Sequence, residues 1–257
     1  METIKLQKKN GAVIPCLAEI PDNPKGIVIM VHGFTSNKAC ATAELLFHRF
    51  PQCGLGVITY DQPGHGSEEA KNDTLQIENC KDSLACVEEY AAEYYPGKTI
   101  YYFSSSYGAY ITGLYISTRP HRGEKAFFRS AAVIMPELIL GDKQEPDPEV
   151  LEELDKTGYI EPDLGLGDII RLPKGFFEDL QENDLFQKFD NTFCRKTDIE
   201  MVHGQKDPVV PVLAAQKFAN EFGFKITVME EEGHSICSLP QSPDRVADLA
   251  LDFYLKK

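Results

Sequence analysis

The sequence predicts an α/β fold, an eight-stranded and mostly parallel sheet flanked by helices, and three observations predict it. Short runs of β-branched and aromatic residues recur along the chain. The later runs are continuously apolar, as strands covered on both faces are. Amphipathic helical patterns fall between them, and that alternation implies parallel strands joined by right-handed crossovers. With 257 residues, 42% of them hydrophobic, the chain suits a single domain over 1–257 around one sizeable core.

Taken in order, 3–6 (TIKL) and 16–20 (CLAEI) alternate apolar with polar and suit an exposed hairpin, whereas 27–31 (IVIMV) and 56–60 (GVITY) read as buried strands. A helix follows on the stripe Ile77, Cys80, Leu84, Val87, Ala91 and Tyr94, capped by Asp73 or Thr74 and ended by Pro96-Gly97. Strands are expected next at 99–103 (TIYYF), 132–135 (AVIM), 199–202 (IEMV) and 226–229 (ITVM). Pro211 begins a helix whose inner face is Ala214, Phe218 and Phe222 and which Gly223 stops. Ser242-Pro243 opens the last one, with Val246, Leu249, Ala250 and Phe253 inward. One segment breaks the rhythm. From about 137 to 196 no strand pattern occurs, four prolines interrupt the chain, and KGFFEDLQ and LFQKF read as two short helices joined at Asn183-Asp184. This stretch is expected to be a small helical cap inserted over the sheet.

A formal net charge of -14 excludes a nucleic-acid partner, whose phosphates would be repelled. Seven cysteines with no CxxC pair give neither a disulfide framework nor a metal cluster, and they read as reduced thiols, mostly buried, of a cytoplasmic protein. The N-terminus METIKLQKKNG lacks the apolar core of a signal peptide, and the longest strongly apolar run, 27–31, is far below the ~20 residues that span a bilayer. Whether the chain forms a homodimer stays open at this level.

The stretch YYFSSSYGAY, 101–110, holds three successive serines after an apolar run. A sharp strand-to-helix turn needs a small residue two before and two after the serine it presents. Ser104 is flanked by Tyr102 and Ser106, and Ser105 by Phe103 and Tyr107, so both frames put a bulky aromatic where space is shortest. Ser106, between Ser104 and Gly108, satisfies the pattern and is the candidate nucleophile.

A serine hydroxyl attacks only with an imidazole to take its proton and a carboxylate to hold that imidazole in one tautomer. His234 in EGHS, between the run 226–229 and the last helix, is the best placed of the six histidines. Asp207 in HGQKDPVVP follows the run 199–202 between a glycine turn and a proline-started helix, while Asp198 would stand at that strand's wrong end. The developing oxyanion requires two backbone donors. Tyr107, the residue after Ser106, supplies one, and Phe34 of the loop VHGFTSN supplies the other.

In combination HGFTSN, DQPGHGS, SSSYGA, HGQKDPVVP and EGHS resemble the α/β-hydrolase superfamily, in particular small-cap bacterial esterases of the feruloyl and cinnamoyl type and related serine aminopeptidase-like hydrolases. The order Ser106, Asp207, His234 is the order of that design. The resemblance runs from about residue 25 to the C-terminus and is weakest through the insertion. It implies the α/β-hydrolase fold and a cofactor-free, metal-free esterase acting on a small-molecule ester, of small to medium or aromatic acyl group, through an acyl-enzyme. A serine aminopeptidase-like peptidase, an acyltransferase and a non-catalytic binding protein of the same fold remain as alternatives. The family's Gly-His-Ser-x-Gly-Gly elbow is altered here, with Ser104, Ser105 and Ala109 replacing two glycines and the histidine.

Other residues have plainer readings. His32 and His65 are expected to shape loops, with Gly64 and Gly66 taking unusual backbone angles in the turn DQPGHG. Phe176, Phe177, Phe186 and Phe189 are read as the cap's own core rather than pocket lining, although as aromatics they hint at an apolar or aromatic acyl group. The acidic run 149–155 is a solvated helix face.

Overall fold

A computed structural model of the protein describes residues 1–141, 145–162, 169–189 and 196–256. Its strands are β1 (Glu2–Gln7), β2 (Val13–Glu19), β3 (Gly26–Val31), β4 (Leu55–Tyr60), β5 (Thr99–Ser105), β6 (Gly123–Arg129), β7 (Tyr159–Ile160), β8 (Leu172–Pro173), β9 (Asp198–Gly204) and β10 (Lys225–Met229). Eight of them form one sheet in the order β1-β2-β4-β3-β5-β6-β9-β10. β1 pairs antiparallel with β2 and β2 antiparallel with β4, and all further neighbours are parallel. The fold is that of an α/β hydrolase.

Strand alternation sorts the apolar residues into two cores. Ile27, Ile29 and Val31 of β3 face one side, where helices α3 (Ile77–Tyr94), α4 (Tyr107–Thr118) and α9 (Val212–Phe222) pack. Val28 and Met30 face the other, covered by α1 (Ala41–Arg49) and α10 (Ser242–Leu255). The remaining helices are α2 (Glu68–Lys71), α5 (Met135–Leu140), α6 (Pro148–Thr157), α7 (Lys174–Glu182) and α8 (Leu185–Lys188). From α6 to α8 the chain forms the insertion between β6 and β9. The joint between α7 and α8 falls at Asn183-Asp184, and Asp184 caps α8 by accepting from the amides of Phe186 and Gln187. The insertion packs on the α3/α4 side: Tyr110 Oη donates to the Asn183 carbonyl at 2.7 Å, and Leu185 fills the space left by Gly113. Phe176, Phe177 and Phe189 are buried there, and the outer face of α6 is exposed.

Several expectations are corrected. The sixth strand is Gly123–Arg129, not 132–135; Val133 and Ile134 lie in a turn, and Met135 starts α5. Charges hid this strand. Lys125 escapes the sheet by donating to the carbonyls of Phe253 and Lys256 at the end of α10, 2.8 and 2.9 Å away. The N-cap of α3 is Gln76, not Asp73 or Thr74, and the Ile77 amide is satisfied from 102 residues away by Asp179 of α7 at 2.9 Å. Asp73 instead forms a buried ion pair with Lys8. The insertion contains a short antiparallel pair, β7 with β8, that the sequence pattern did not suggest. Cys16 and Cys80 are buried, but Cys40, Cys53 and Cys86 are half-buried and Cys237 is exposed; Cys194 lies outside the described residues.

The helix after β5 crosses the end of β3 at contact distance. A Cβ at Gly108 would stand 2.2 Å from the Val31 carbonyl oxygen and 2.6 Å from that of His32, both backbone atoms with no room to move. Gly108→Ala is therefore expected to destabilise the protein by about 2 kcal/mol or more, the scale of core overpacking. The check is a lowered urea midpoint with unchanged slope; an unaltered midpoint would show that the crossing is looser than drawn.

Candidate active site

Five sequence segments reach the C-terminal end of the parallel strands. Ser106 follows β5 and precedes α4 with φ 52° and ψ −117°, a left-handed conformation costly for a residue bearing a Cβ. Backbone bonds hold it there: its amide donates to the Arg129 carbonyl at 2.9 Å, and its own carbonyl accepts from Ala109 at 3.0 Å and Ala132 at 3.2 Å. Ser104, at the position where the family has glycine, fits because its hydroxyl pairs with Thr112 Oγ1 at 2.8 Å inside the core.

His234 and Asp207 come to the same place from the loops after β10 and β9. His234 Nε2 lies 2.9 Å from Ser106 Oγ, and His234 Nδ1 lies 2.7 Å from Asp207 Oδ2. The three residues predicted from the sequence thus form one continuous hydrogen-bonded chain. Asp207 Oδ1 also accepts from the amides of Val209 at 2.8 Å and Val210 at 2.9 Å. Burial alone would favour the neutral acid, but the hydrogen bonds from His203 and His234 outweigh it and hold the carboxyl well below the usual carboxylate range. An ionised Asp207 can only accept, so Nδ1 of His234 carries a proton and Nε2 is left to accept from the serine hydroxyl.

Some contributors carried no sequence signal that the reading used. His203, fully buried, brings Nε2 to 3.0 Å from Asp207 Oδ2 and 3.0 Å from the Val210 carbonyl. Both partners are acceptors, so Nε2 bears hydrogen and donates to the same Asp207 oxygen that His234 contacts. It stands at the head of the HGQKD motif, where its spacing of four residues from Asp207 was the available clue. Ser130, with φ 48°, donates to the His234 carbonyl at 2.7 Å. Arg129 Nη2 donates to the carbonyl of Ser235.

Phe34 follows β3 in a loop that is tied down at its far side. Asp61 accepts from the Lys38 amide at 2.8 Å, from Lys38 Nζ at 2.6 Å, and from Ser67 Oγ at 2.8 Å. Those bonds hold Asp61 ionised below its ordinary range against the cost of burial. Gly66, at φ 65°, leaves room for that carboxylate, since a Cβ would lie 2.4 Å from Oδ1. His32 accepts the Gln62 amide on Nε2 at 3.1 Å. The Phe34 ring meets Tyr107 edge-on at 5.1 Å and stacks on Phe176 at 6.0 Å. Among the described residues neither the Phe34 nor the Tyr107 amide donates to a carbonyl of a turn or cap.

A cavity of about 700 Å³ opens from Ser106 and His234. It runs down the α1/α10 face of the sheet over Met30, Leu46, Phe103 and Val246, with Leu138 and Ile139 of α5 on its wall. Of the aromatics in the insertion, Phe176, Phe177, Phe186 and Phe189 are absent from this lining. Among the described residues no group of His, Cys, Asp and Glu is arranged to hold a metal ion, and no helix is long and apolar enough to cross a membrane.

The family model described as serine aminopeptidase, S33, matches residues 22–157. No curated protein sequence matches the chain. Solved structures resemble it over nearly their whole length. Est1E from Butyrivibrio proteoclasticus with ferulic acid bound shares 18% identity over 98% of this chain and 100% of its own, with a TM-score of 0.79. Mouse alpha/beta hydrolase domain-containing protein 10 shares 14% over 100% of both chains, TM-score 0.73. A thermostable carboxyl esterase from Bacillus coagulans in complex with glycerol shares 17% over 98% of this chain and 97% of its own, TM-score 0.68.

His65, beneath this loop, generates a pH prediction. It is fully buried, its Nδ1 donates to the Pro63 carbonyl at 2.8 Å, and its Nε2 has no hydrogen-bond partner among the described residues. Burial, then the neighbouring His32, pull its pKa down to about 3. The unfolded chain takes up this proton near pH 6.5 while the folded chain does not, so the stability contributed by neutral His65 is complete above pH 6.5 and declines as pH falls toward 3. Between pH 7 and 5 the loss should be about 2 kcal/mol. Urea unfolding at the two pH values checks this, and His65→Asn, whatever its absolute stability, should flatten the dependence.

Proposed function

The chain belongs to the family of hydrolases described as serine aminopeptidase, S33, and on that premise we propose that it is a serine hydrolase of carboxylic esters working through an acyl-enzyme. The observation that carries the reading is the unbroken chain from Ser106 Oγ through His234 to Asp207, at 2.9 and 2.7 Å. Ser106 Oγ attacks the ester carbonyl carbon as its proton passes to His234 Nε2, and Asp207, ionised throughout, steadies the imidazolium. The amides of Phe34 and Tyr107 face the oxyanion of the tetrahedral intermediate. Collapse expels the alcohol, which leaves with the proton from His234. A water then gives its proton to His234 and attacks the acyl carbon, and the second collapse releases the acid and returns the proton to Ser106.

Ester rather than amine-terminated peptide is favoured by the sign of the charge in the cavity. An aminopeptidase needs carboxylates to hold a substrate ammonium, yet among the described residues no Asp or Glu lines the cavity and the charged lining residue is Arg129. The apolar remainder suits a small to medium or aromatic acyl group, in keeping with the ferulic acid named for one structural neighbour and the carboxyl esterase named for another.

Ser106→Ala should remove most of a ~10⁶-fold rate enhancement while leaving the fold intact, and Asp207→Asn should cost ~10⁴-fold. The assay is hydrolysis of p-nitrophenyl esters beside a proline p-nitroanilide, with fluorophosphonate labelling of Ser106 read in parallel. Parent-level turnover by Ser106→Ala, or turnover of the amide in preference to the ester, would defeat this reading.

A further inference from the structure

We propose that Arg129 receives a carboxylate on the acyl part of the substrate, so that the preferred class is the monoester of a short dicarboxylic acid. This rests on the reading of the site as an ester hydrolase and adds the substrate class to it. Arg129 is the last residue of β6 and, two residues after Phe127, shares its face of the sheet, the α1/α10 face down which the cavity runs. Its guanidinium is wedged between the neighbours of the reacting pair. Nη1 is 3.5 Å from the hydroxyl of Ser105, which precedes Ser106, and Nη2 donates to the carbonyl of Ser235, which follows His234.

Both of these partners are neutral oxygens, and a guanidinium has more N–H groups than two such contacts use. Three arginines elsewhere in the chain are paired with carboxylates. Arg49 holds Asp244 and Asp248, Arg119 holds Glu78 and Asp82, and Arg171 holds Glu161. The acids whose charge reaches Arg129 are already committed, Asp207 to His203 and His234 and Glu232 to the amides of Ser238 and Leu239. Among the described residues no carboxylate touches this guanidinium, although the chain has 40 acidic residues to 26 basic ones. A cation left without a counter-ion in an apolar cavity is costly unless something it binds completes it.

The planar fork of arginine matches a carboxylate with two parallel hydrogen bonds. One cation balances one monoanion, whereas a phosphate dianion would bring an unmatched charge into a cavity floored by Met30, Leu46 and Phe103. The acyl half of the ester is assigned to Arg129 because it stays on Ser106 after the alcohol has left, and the enclosed space beside Ser106 is this cavity.

The experiment compares monomethyl glutarate with methyl valerate, a neutral ester of the same chain length, by methanol release from the parent, Arg129→Gln and Arg129→Lys. The parent should favour the anionic ester in kcat/KM by about tenfold or more, Arg129→Gln should abolish that ratio mainly through KM, and Arg129→Lys should restore part of it. A parent ratio of one or below, or an equal loss on both esters in Arg129→Gln, overturns the proposal; the second result would make Arg129 a pin for Ser235 only. If the parent hydrolyses neither ester, the esterase reading has failed separately. Calorimetric binding of monomethyl glutarate to Ser106→Ala then decides, with binding lost in Ser106→Ala/Arg129→Gln supporting the anion site and equal binding in both refuting it.

Discussion

The candidate site depends on one close crossing, where the first turn of α4 passes over the end of β3 with backbone against backbone. Gly108 makes it by having no side chain, its Cα direction pointing straight at the carbonyls of Val31 and His32. The crossing brings the amide end of α4 beside the loop carrying Phe34, and it forces the chain to turn within one residue after β5. Ser106 absorbs that turn at φ 52°. The strain is local, and the surrounding bonds of its amide and carbonyl to Arg129, Ala109 and Ala132 are what over-determine it. Nearby, Thr35 at φ 57°, Ser130 at φ 48° and Ile236 at φ 44° repeat the pattern on the three loops that frame Ser106. Strained backbone in this molecule is concentrated where side chains must be presented rather than packed.

Electrostatics complete what the backbone positions. In a chain of net charge -14, a further buried carboxylate is tolerated only if hydrogen bonds replace its lost hydration. Asp207 and Asp61 are both fully desolvated at the side chain and both over-supplied with donors, two amides and two imidazoles for the first, two amides, an ammonium and a hydroxyl for the second. Their functions differ. Asp61 locks the loop after β3 to the turn after β4, and Asp207 sets the tautomer of His234.

Where the sequence was legible, the constraint was local. The frame of Ser106 could be read from three flanking positions because sterics at a tight turn act over two residues, and the alternation of strand and helix gave the sheet because periodicity is also local. Legibility failed where partners lie far along the chain. The charges of Glu124, Lys125 and Arg129 disguised β6, since nothing nearby in sequence reveals that Lys125 ends on the carbonyls of α10. The cap of α3 was misplaced for the same reason, its acceptor Asp179 belonging to an element that arrives 102 residues later. His203 was visible as the first letter of a motif, yet its contact with Asp207 depends on the path of the loop between them.

The same distinction relocates specificity. The phenylalanines of the insertion are core residues, as the sequence predicts: the insertion packs on the α3/α4 side of the sheet, and the four aromatics face inward there or against α9. The cavity lies on the opposite face, between α1 and α10, and residues from strands supply its floor, Met30 from β3 and Phe103 from β5. Among the described residues between β6 and β9, α5 contributes wall through Leu138 and Ile139, beside the walls that α1 and α10 supply. A floor made of sheet residues cannot adjust as a mobile cap can, because each side chain on it also belongs to the packed core beneath. On the proposed esterase reading, selection among acyl groups therefore falls to rigid strands and to the charge of Arg129 that β6 carries into the cavity, with the insertion acting on the site through the ring of Phe176 stacked on Phe34.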